Sequence, residues 1–282
     1  MWRAILLLLA LTAFHGARAA DRYFVSSDGV RLHYTESGPD GAPTIVFVPG
    51  WTMPAWIFQR QIDFFSHAYH VIAFDPRGQG DSEVPAGGYE PGRRGADIAD
   101  LIAALGNRPV LLVGWSLGVL DSLAYAHQYG DRRLTGMVLI DNSVGEEPAP
   151  TAPPRAPHVR RAPVPREAFM RSFVSSMFRR PQDPNYLELL TQTALRTPPY
   201  AARALLSYPE PRSYWREGIY MVHRPILYIV RPGLSGQAEN LAARHPDVQS
   251  DIYADAGHAL FIDDGDRFDA EMLNFIRTRV TP

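Results

Sequence analysis

Short and wholly apolar runs alternate with helical patterns along most of this chain of 282 residues. Strands without polar alternation are typical of a parallel sheet covered on both faces, because side chains on either face then meet a helix. An alternating segment at 23–34, with Asp28 and Gly29 at its centre, predicts an antiparallel hairpin ahead of them. We therefore predict an α/β fold with a mostly parallel eight-stranded sheet, an antiparallel start, and helices on both faces. The predicted buried strands lie at 44–50, 70–82 (running into a glycine-rich loop), 109–114, 136–141, 225–230 and 248–254, and the predicted helices at 95–106, 119–130, 239–244 and 267–279.

Residues 142–222 interrupt this alternation and contain no pattern that predicts a strand. Residues 148–165 are too rich in proline for a helix or a central strand, so we expect an extended connection there. Apolar residues then recur at helical spacing. We expect 142–222 to form a helical cap over the carboxyl edge of the sheet, with 20–141 and 223–282 as the core. The apolar stripe consists of Phe169, Met170, Phe173, Val174, Met177 and Phe178, and later helical patterns cover 186–196 and 200–208.

The composition excludes several kinds of chemistry. There is no cysteine, which excludes disulfides, thiolate nucleophiles and cysteine-bound metals. There is also no lysine, so all 28 basic residues are arginines and Schiff-base catalysis is excluded. The net charge of −2 gives no general attraction to nucleic acid or anionic membranes, and no His-x-His or His-Glu-x-x-His spacing suggests a metal. We expect no cofactor, no metal and no nucleic-acid partner, while the oligomeric state stays open.

The first 19 residues have the pattern of a secretory signal. A short basic start precedes an apolar run from Ala4 to Phe14, which is shorter than the roughly 20 residues that span a bilayer. The triplet Ala17-Arg18-Ala19 fits the small-x-small rule for cleavage. We expect cleavage after Ala19 and export to the periplasm or the exterior of a bacterial cell, without stable insertion into the membrane.

A glycine pair brackets Ser116 in the stretch Leu111–Gly118, with an apolar strand before it and a helical pattern after it. The pattern Gly-x-Ser-x-Gly in that context predicts a sharp turn that presents the serine at the carboxyl end of the sheet. Glycines at 114 and 118 would leave room for neighbouring backbone. A serine that only caps the helix is the structural alternative. We predict that Ser116 is a nucleophile.

A serine nucleophile needs a base that takes its proton, and His258 is the best placed of the nine histidines. It follows the last predicted strand in a Gly-His loop, at the sheet edge nearest to the serine turn. His67 and His70 flank a strand start, His127 lies well along the helix after the turn, and His158 falls in the proline-rich connection. We predict that His258 is the general base.

Three stretches and the Ala256-Gly257-His258 triplet together resemble the α/β-hydrolase superfamily over nearly the whole chain after the signal segment. They are Phe47–Trp51, Phe74–Ser82 and Gly114–Gly118. The resemblance implies a serine esterase or lipase-like enzyme, with an oxyanion hole formed by the backbone N–H groups of Trp51 and Leu117. This chain has Pro49-Gly50 where the family more often has His-Gly, a departure that leaves backbone donors intact.

The acid that would support His258 is less clear from the sequence. The family usually places an aspartate after the penultimate strand, where this chain has Ser235 and Gly236 instead. Asp141, at the end of the strand after the serine turn, is our prediction. Glu239, the acid that follows the penultimate strand, is the alternative, and another acid or none stays open. The family resemblance gives Asp75 and Asp81 a structural role.

The aromatic residues of the predicted cap suggest a largely apolar pocket for a small acyl substrate. With Trp51, the predicted lining is Trp115, Phe169, Phe173 and Met177, and further candidates are Tyr186, Tyr214 and Trp215. We predict an exported serine hydrolase that cleaves a carboxylic ester, lactone or thioester through an acyl-enzyme. One alternative is a cofactor-free perhydrolase, acyltransferase or lyase on the same fold. Another is a ligand-binding pseudoenzyme, which is favoured by the absence of the usual aspartate after the penultimate strand. Haloalkane dehalogenase and epoxide hydrolase chemistry would need a carboxylate in place of Ser116.

Overall fold

The computed structural model describes residues 19–150 and 164–280. The predicted signal segment therefore lies outside the described residues except for Ala19, as does most of the proline-rich connection. The strands are β1 (Ala20–Val25), β2 (Arg31–Ser37), β3 (Thr44–Val48), β4 (His70–Asp75), β5 (Val110–Trp115), β6 (Leu134–Ile140), β7 (Ile226–Val230) and β8 (Val248–Ile252). The helices are α1 (Gln59–Phe65), α2 (Pro91–Ala104), α3 (Leu117–Tyr129), α4 (Arg166–Ser176), α5 (Pro184–Leu195), α6 (Pro199–Leu205), α7 (Arg212–Tyr220), α8 (Ser235–Arg244), α9 (Leu260–Asp263) and α10 (Gly265–Phe275). Short 3₁₀ turns lie at Ala55–Phe58 and Pro232–Leu234, and a π-helical turn at Ile276–Val280.

The eight strands form one sheet in the order β1-β2-β4-β3-β5-β6-β7-β8. The first two strands pair antiparallel with each other, and β2 pairs antiparallel with β4. All later pairs are parallel, so the carboxyl ends of β3 to β8 meet at one edge. The predicted mostly parallel sheet with an antiparallel start is confirmed.

Helices cover both faces of the sheet, and alternate residues of each central strand enter one of two apolar layers. On β5, for example, Val110 and Leu112 face one layer, while Leu111, Val113 and Trp115 face the other. The first layer is closed by α2, α3, α6, α7 and α8, and the second by α1, α4, α5, α9 and α10. This explains why these strands are apolar at consecutive positions.

The region predicted as a cap contains helices α4 to α7 and no strand in its described parts, 142–150 and 164–222. Its last helix, α7, does not follow from the sequence patterns and lies against α3. A Cβ on Gly218 would come within 2.5 Å of the Leu123 carbonyl oxygen, so glycine allows this close approach. Trp215 is buried in that layer, and the Tyr214 ring lies 4.1 Å from the His127 ring. These two residues therefore belong to the α3–α7 contact rather than to a substrate pocket.

None of the helices within the described part of the chain is both long and apolar enough to cross a membrane.

Candidate active site

Ser116 occupies the turn between β5 and α3 with φ 54° and ψ −118°, a left-handed backbone that non-glycine residues rarely adopt. The flanking glycines allow the turn to pack closely against neighbouring backbone. A Cβ on Gly114 would lie 2.4 Å from the Gly118 carbonyl oxygen, and one on Gly118 would lie 2.2 Å from the Val48 carbonyl oxygen. The turn is thus wedged between its own helix and the end of β3, which holds the serine at the carboxyl edge of the sheet.

The side chains of Ser116, His258 and Asp141 form a continuous hydrogen-bonded chain. Ser116 Oγ lies 2.8 Å from His258 Nε2, and His258 Nδ1 lies 2.6 Å from Asp141 Oδ2. The three residues come from the ends of β5, β8 and β6, which the parallel sheet brings to the same edge. This arrangement has the geometry of a nucleophile, a base and an acid that orients the base.

Asp141 is almost completely buried and is also held by Arg231, a residue that no sequence motif singles out. The Arg231 backbone N–H donates to Asp141 Oδ1 at 3.0 Å, and Arg231 Nε donates to Oδ2 at 2.5 Å. Burial by itself would raise the pKa of Asp141, but hydrogen bonding to His258 and the positive charges of His258 and Arg231 outweigh it and lower that pKa. The carboxylate is therefore kept ionised beside the imidazole.

The alternative acid, Glu239, lies exposed on α8 and makes no hydrogen bond to His258 in the described structure. The helix α8 turns this position toward solvent, whereas Gln237 and Ala238 face inward. Of the two acids weighed from the sequence, only Asp141 is brought to His258.

Two backbone N–H groups border Ser116. The turn after β3 is tightly packed against the serine, because a Cβ on Gly50 would lie 3.0 Å from Ser116 Cβ. Trp51 follows directly, and Leu117 is the first residue of α3, where helix N–H groups have no partner within the helix. Among the described residues, neither the Trp51 nor the Leu117 N–H has a hydrogen-bond acceptor. Both groups are available to an oxyanion formed next to Ser116 Oγ.

Asn142, another residue without a recognisable sequence signal, fixes the serine turn from the side of β6. Its amide donates to the Ser116 carbonyl oxygen at 2.8 Å, and its own carbonyl oxygen accepts the Tyr228 hydroxyl at 2.8 Å. The Ser116 N–H donates to the Ile140 carbonyl oxygen at 2.9 Å. The strained backbone at Ser116 is thus held from both its N–H and its C=O.

Comparisons with known proteins assign the fold to a family. A model of the alpha/beta hydrolase family matches residues 45–271. The chain belongs to the alpha/beta hydrolase family. Among curated proteins it is similar to a non-heme chloroperoxidase of Streptomyces lividans, with 38% identity over 117 residues, which are 41% of this chain and 42% of that protein. It is also 31% identical over 119 residues to a bifunctional esterase/perhydrolase of Acinetobacter calcoaceticus, covering 42% of this chain and 43% of the relative.

These alignments span less than half the length of either curated relative. A solved structure from Burkholderia cenocepacia, described as a "putative aryl esterase", matches over a longer range. It is 26% identical with a TM-score of 0.79, and the match covers 93% of this chain and 100% of that one.

Trp115 does not line a pocket in this alpha/beta hydrolase, and that prediction was wrong. Its side chain is only 1% exposed, because position 115 of β5 points into the layer under α1 and α10. The indole N–H donates to the His258 carbonyl oxygen at 2.8 Å, and the two rings lie 5.2 Å apart. Trp115 therefore holds the His258 loop from within the apolar layer.

Met177 is likewise a support rather than a lining residue, because its side chain is 2% exposed. Its carbonyl oxygen accepts the Ala259 N–H at 2.9 Å. A Cβ on Gly257 would lie 2.5 Å from that same oxygen, so only glycine fits there. The C-terminal end of α4 thus clamps the loop on both sides of His258.

Phe169 and Phe173 remain as accessible aromatic residues close to Trp51. The Trp51 ring lies 5.0 Å from Phe173 and 6.5 Å from Phe169, both edge to face, and Phe169 is 49% exposed. The Trp51 indole N–H donates to the Ala202 carbonyl oxygen at 2.8 Å, which ties this cluster to α6. Trp51 directly follows Gly50, the residue packed against Ser116, so this aromatic cluster adjoins the turn that faces the serine.

Asp75, the last residue of β4, has the structural role that the family resemblance gives it. Its carboxylate accepts the Ala55 N–H at 2.6 Å and the Asp81 N–H at 3.0 Å, and lies 2.7 Å from His33 Nδ1. His33, Asp75 and Asp81 could together offer three ligand atoms to a cation. Because both Asp75 oxygens already accept backbone N–H groups, this cluster is better suited to holding the loop 76–82 than to binding a metal.

Proposed function

We propose that this alpha/beta hydrolase cleaves carboxylic esters through an acyl-enzyme formed on Ser116. The observation that carries the proposal is the chain of hydrogen bonds from Ser116 Oγ through His258 to the buried Asp141, at 2.8 and 2.6 Å. Serine attacks acyl groups only when a base takes its proton, and an acid must hold that base in the right tautomer.

In the first half of the reaction, Ser116 Oγ attacks the carbonyl carbon while its proton passes to His258 Nε2. The carbonyl electron pair becomes an oxyanion that the N–H groups of Trp51 and Leu117 stabilise, each worth about 3 kcal/mol of barrier. The tetrahedral intermediate collapses as His258 returns the proton to the leaving alkoxide. An alcohol departs and the acyl group stays on Ser116.

In the second half, a water molecule attacks the acyl carbon and gives its proton to His258 Nε2. The intermediate collapses, the proton returns to Ser116 Oγ, and the carboxylic acid is released. Asp141 accepts a hydrogen bond from His258 Nδ1 throughout, which leaves Nε2 free to accept and donate the proton. Its lowered pKa supports this role, because the carboxylate stays ionised beside the imidazolium.

We further propose a small, predominantly apolar acyl substrate. The aromatic cluster of Trp51, Phe169 and Phe173, on the turn that packs against the serine, supports this, since such rings can bury the apolar part of an ester. The description of the Burkholderia cenocepacia structure as a "putative aryl esterase" is consistent with it.

Perhydrolysis is a second candidate, in which hydrogen peroxide replaces water as the acceptor and a peroxyacid leaves. It is favoured by the names of two curated relatives, a non-heme chloroperoxidase and a bifunctional esterase/perhydrolase. The same acyl-enzyme serves both reactions, so they differ only in the second nucleophile. Product analysis with water and peroxide in competition separates them.

Labelling and turnover together test the proposal. The wild-type protein should react with a fluorophosphonate probe and hydrolyse p-nitrophenyl esters of short acids. Ser116→Ala should lose both, whereas Ser207→Ala, at an exposed serine after α6, should keep both. Retained turnover in Ser116→Ala, with circular dichroism matching the wild type, would remove the proposal.

We also propose that the protein is exported and that its first 19 residues are removed. The basic start, short apolar run and Ala17-Arg18-Ala19 triplet support this. N-terminal sequencing of the protein recovered from the periplasm or medium should begin at Ala20. Recovery of a cytoplasmic protein that begins at Met1 would contradict it.

A further inference from the structure

Arg231 stands directly after β7, the place where the family resemblance leads one to expect the triad acid. It binds Asp141 with two separate donors, the backbone N–H to Oδ1 at 3.0 Å and the guanidinium Nε to Oδ2 at 2.5 Å. The guanidinium also reaches His258, with Nη2 3.5 Å from Nδ1. Arg231 thus contacts both partners of the hydrogen bond that orients the base.

The two contacts have different physical consequences. The paired donors fix the plane of a carboxylate whose residue has a left-handed backbone, with φ 49°, so that Oδ2 faces the imidazole. The positive charge beside His258 disfavours the imidazolium, which would carry a second positive charge next to it. Arg231 and imidazolium therefore compete for the same carboxylate oxygen.

We propose that Arg231 is a positioning residue that acts through Asp141, fixing its carboxylate and setting the pH above which His258 can take the proton from Ser116. This inference rests on the proposed function, because a proton transfer from Ser116 is what it regulates. The lowered pKa of Asp141, to which the charge of Arg231 contributes, agrees with the geometry.

Among the described residues, a second ionisable side chain holds the backbone of the His258 loop. Asp263 on α9 accepts the Gly257 N–H at 2.6 Å and the backbone N–H groups of Arg179 and Arg180 at 2.7 and 3.1 Å. Trp115 and Met177, which also hold the His258 loop, are uncharged. Asp263 is unchanged in every variant of the test, so its effect on His258 cancels.

The test compares Arg231→Gln, Arg231→Lys and Arg277→Gln, a matched loss of one exposed arginine on the C-terminal turn. In Arg231→Gln the acid limb of the kcat/KM profile should move to higher pH by about one unit, because the imidazolium loses a nearby repelling charge. Arg231→Lys keeps the charge, so its acid limb should stay near the wild type while kcat falls, since ammonium cannot reproduce the Nε contact. Arg277→Gln should leave both the acid limb and kcat unchanged. KM should vary little in all three variants.

A second pair of variants tests whether Arg231 acts through Asp141. In an Asp141→Asn background, adding Arg231→Gln should change kcat by less than about twofold, because contacting residues are not additive. Full additivity would overturn the proposal. An Arg231→Lys profile that shifts as far as that of Arg231→Gln would also overturn it, since the charge would then have no effect.

An NMR titration of the His258 imidazole separates this inference from the proposed function. The titration of His258 should move to higher pH in Arg231→Gln and not in Arg277→Gln, whether or not any ester is turned over. An unchanged titration would overturn the role of Arg231 even in an active enzyme. A shifted titration in a protein that hydrolyses no ester would instead overturn the proposed function alone. If Arg231→Gln does not fold, Arg231→Lys in the Asp141→Asn background still tests the coupling.

Discussion

The indole of Trp115 donates a hydrogen bond to the backbone carbonyl of His258 at 2.8 Å, and the two rings lie 5.2 Å apart. The residue next to the proposed nucleophile in sequence thus holds the proposed base in space. Position 115 is the last residue of β5 and position 116 begins the turn, so one strand end serves both partners. This gives the first variable position of Gly-x-Ser-x-Gly a specific part in the site.

Trp115→Phe should lower kcat about fivefold with little change in KM, because it removes one hydrogen bond of about 1 kcal/mol that fixes the His258 loop. Trp215→Phe is the matched control. Trp215 is also buried, but its indole N–H has no partner among the described residues, so no hydrogen bond is lost. Steady-state kinetics with a p-nitrophenyl ester and thermal unfolding distinguish the two. Equal losses of kcat in both variants would mean that ring volume, not the hydrogen bond, matters.

Asp141→Asn should reduce kcat by about 10³-fold or more, because asparagine cannot hold His258 in the tautomer that accepts the serine proton. Asparagine tolerates the left-handed backbone at this position, so the fold should persist. Glu239→Gln should leave kcat within about twofold, as expected for an exposed change away from the site. The reverse order of these two effects, measured on the same ester, would assign the acid to Glu239.

Much of this fold follows from local sequence patterns because the central strands are apolar on both faces. The predicted positions of β3 to β8 are within a few residues of those observed, as the run Val110–Trp115 illustrates. Helices α1 and α7 could not be predicted in the same way. Helix α1 has only seven residues, and α7 contains Gly218, a residue with low helix propensity. Both are held mainly by tertiary packing.

The site was only partly predictable for a related reason. Ser116 and His258 lie in recognisable local motifs, but Arg231 belongs to the site only because β6 and β7 are neighbours in the sheet. Asp141 and Arg231 directly follow two strands that pair in parallel, and this position in the sequence could have predicted their contact. The error at Trp115 was avoidable, since strand alternation puts it on the same face as Leu111 and Val113.

Gly118→Ala should destabilise the protein by about 3 kcal/mol and also lower kcat. The added Cβ would lie 2.2 Å from the Val48 carbonyl oxygen and 2.9 Å from that of Pro49, so α3 and the turn bearing Trp51 must separate. Gly87→Ala is the control, because a Cβ at that position would have nothing within 4 Å. Its free energy of unfolding should stay within about 0.5 kcal/mol of the wild type. Urea unfolding measures both, and a tolerated Gly118→Ala would contradict the described packing of the serine turn.

Glu271 on α10 should make stability fall as the pH rises from about 4.5 to 7. Burial raises the pKa of Glu271 to about 7, against the lowering effect of the hydrogen bond that Tyr253 donates at 2.8 Å. The folded protein therefore binds the Glu271 proton more tightly than the unfolded chain does. The stabilisation from this proton is complete below the pKa of the unfolded chain, about 4.5, and is lost as the pH rises through the pKa of the folded protein, about 7.

Glu271→Gln keeps a neutral side chain at every pH. The difference in unfolding free energy between Glu271→Gln and wild type should therefore grow in favour of the variant by about 3 kcal/mol between pH 4.5 and 8. Glu239→Gln, at an exposed glutamate, should show no such trend in the same urea titrations. A constant difference for Glu271→Gln across this range would mean that Glu271 has the same pKa in the folded and unfolded protein, which would contradict the prediction.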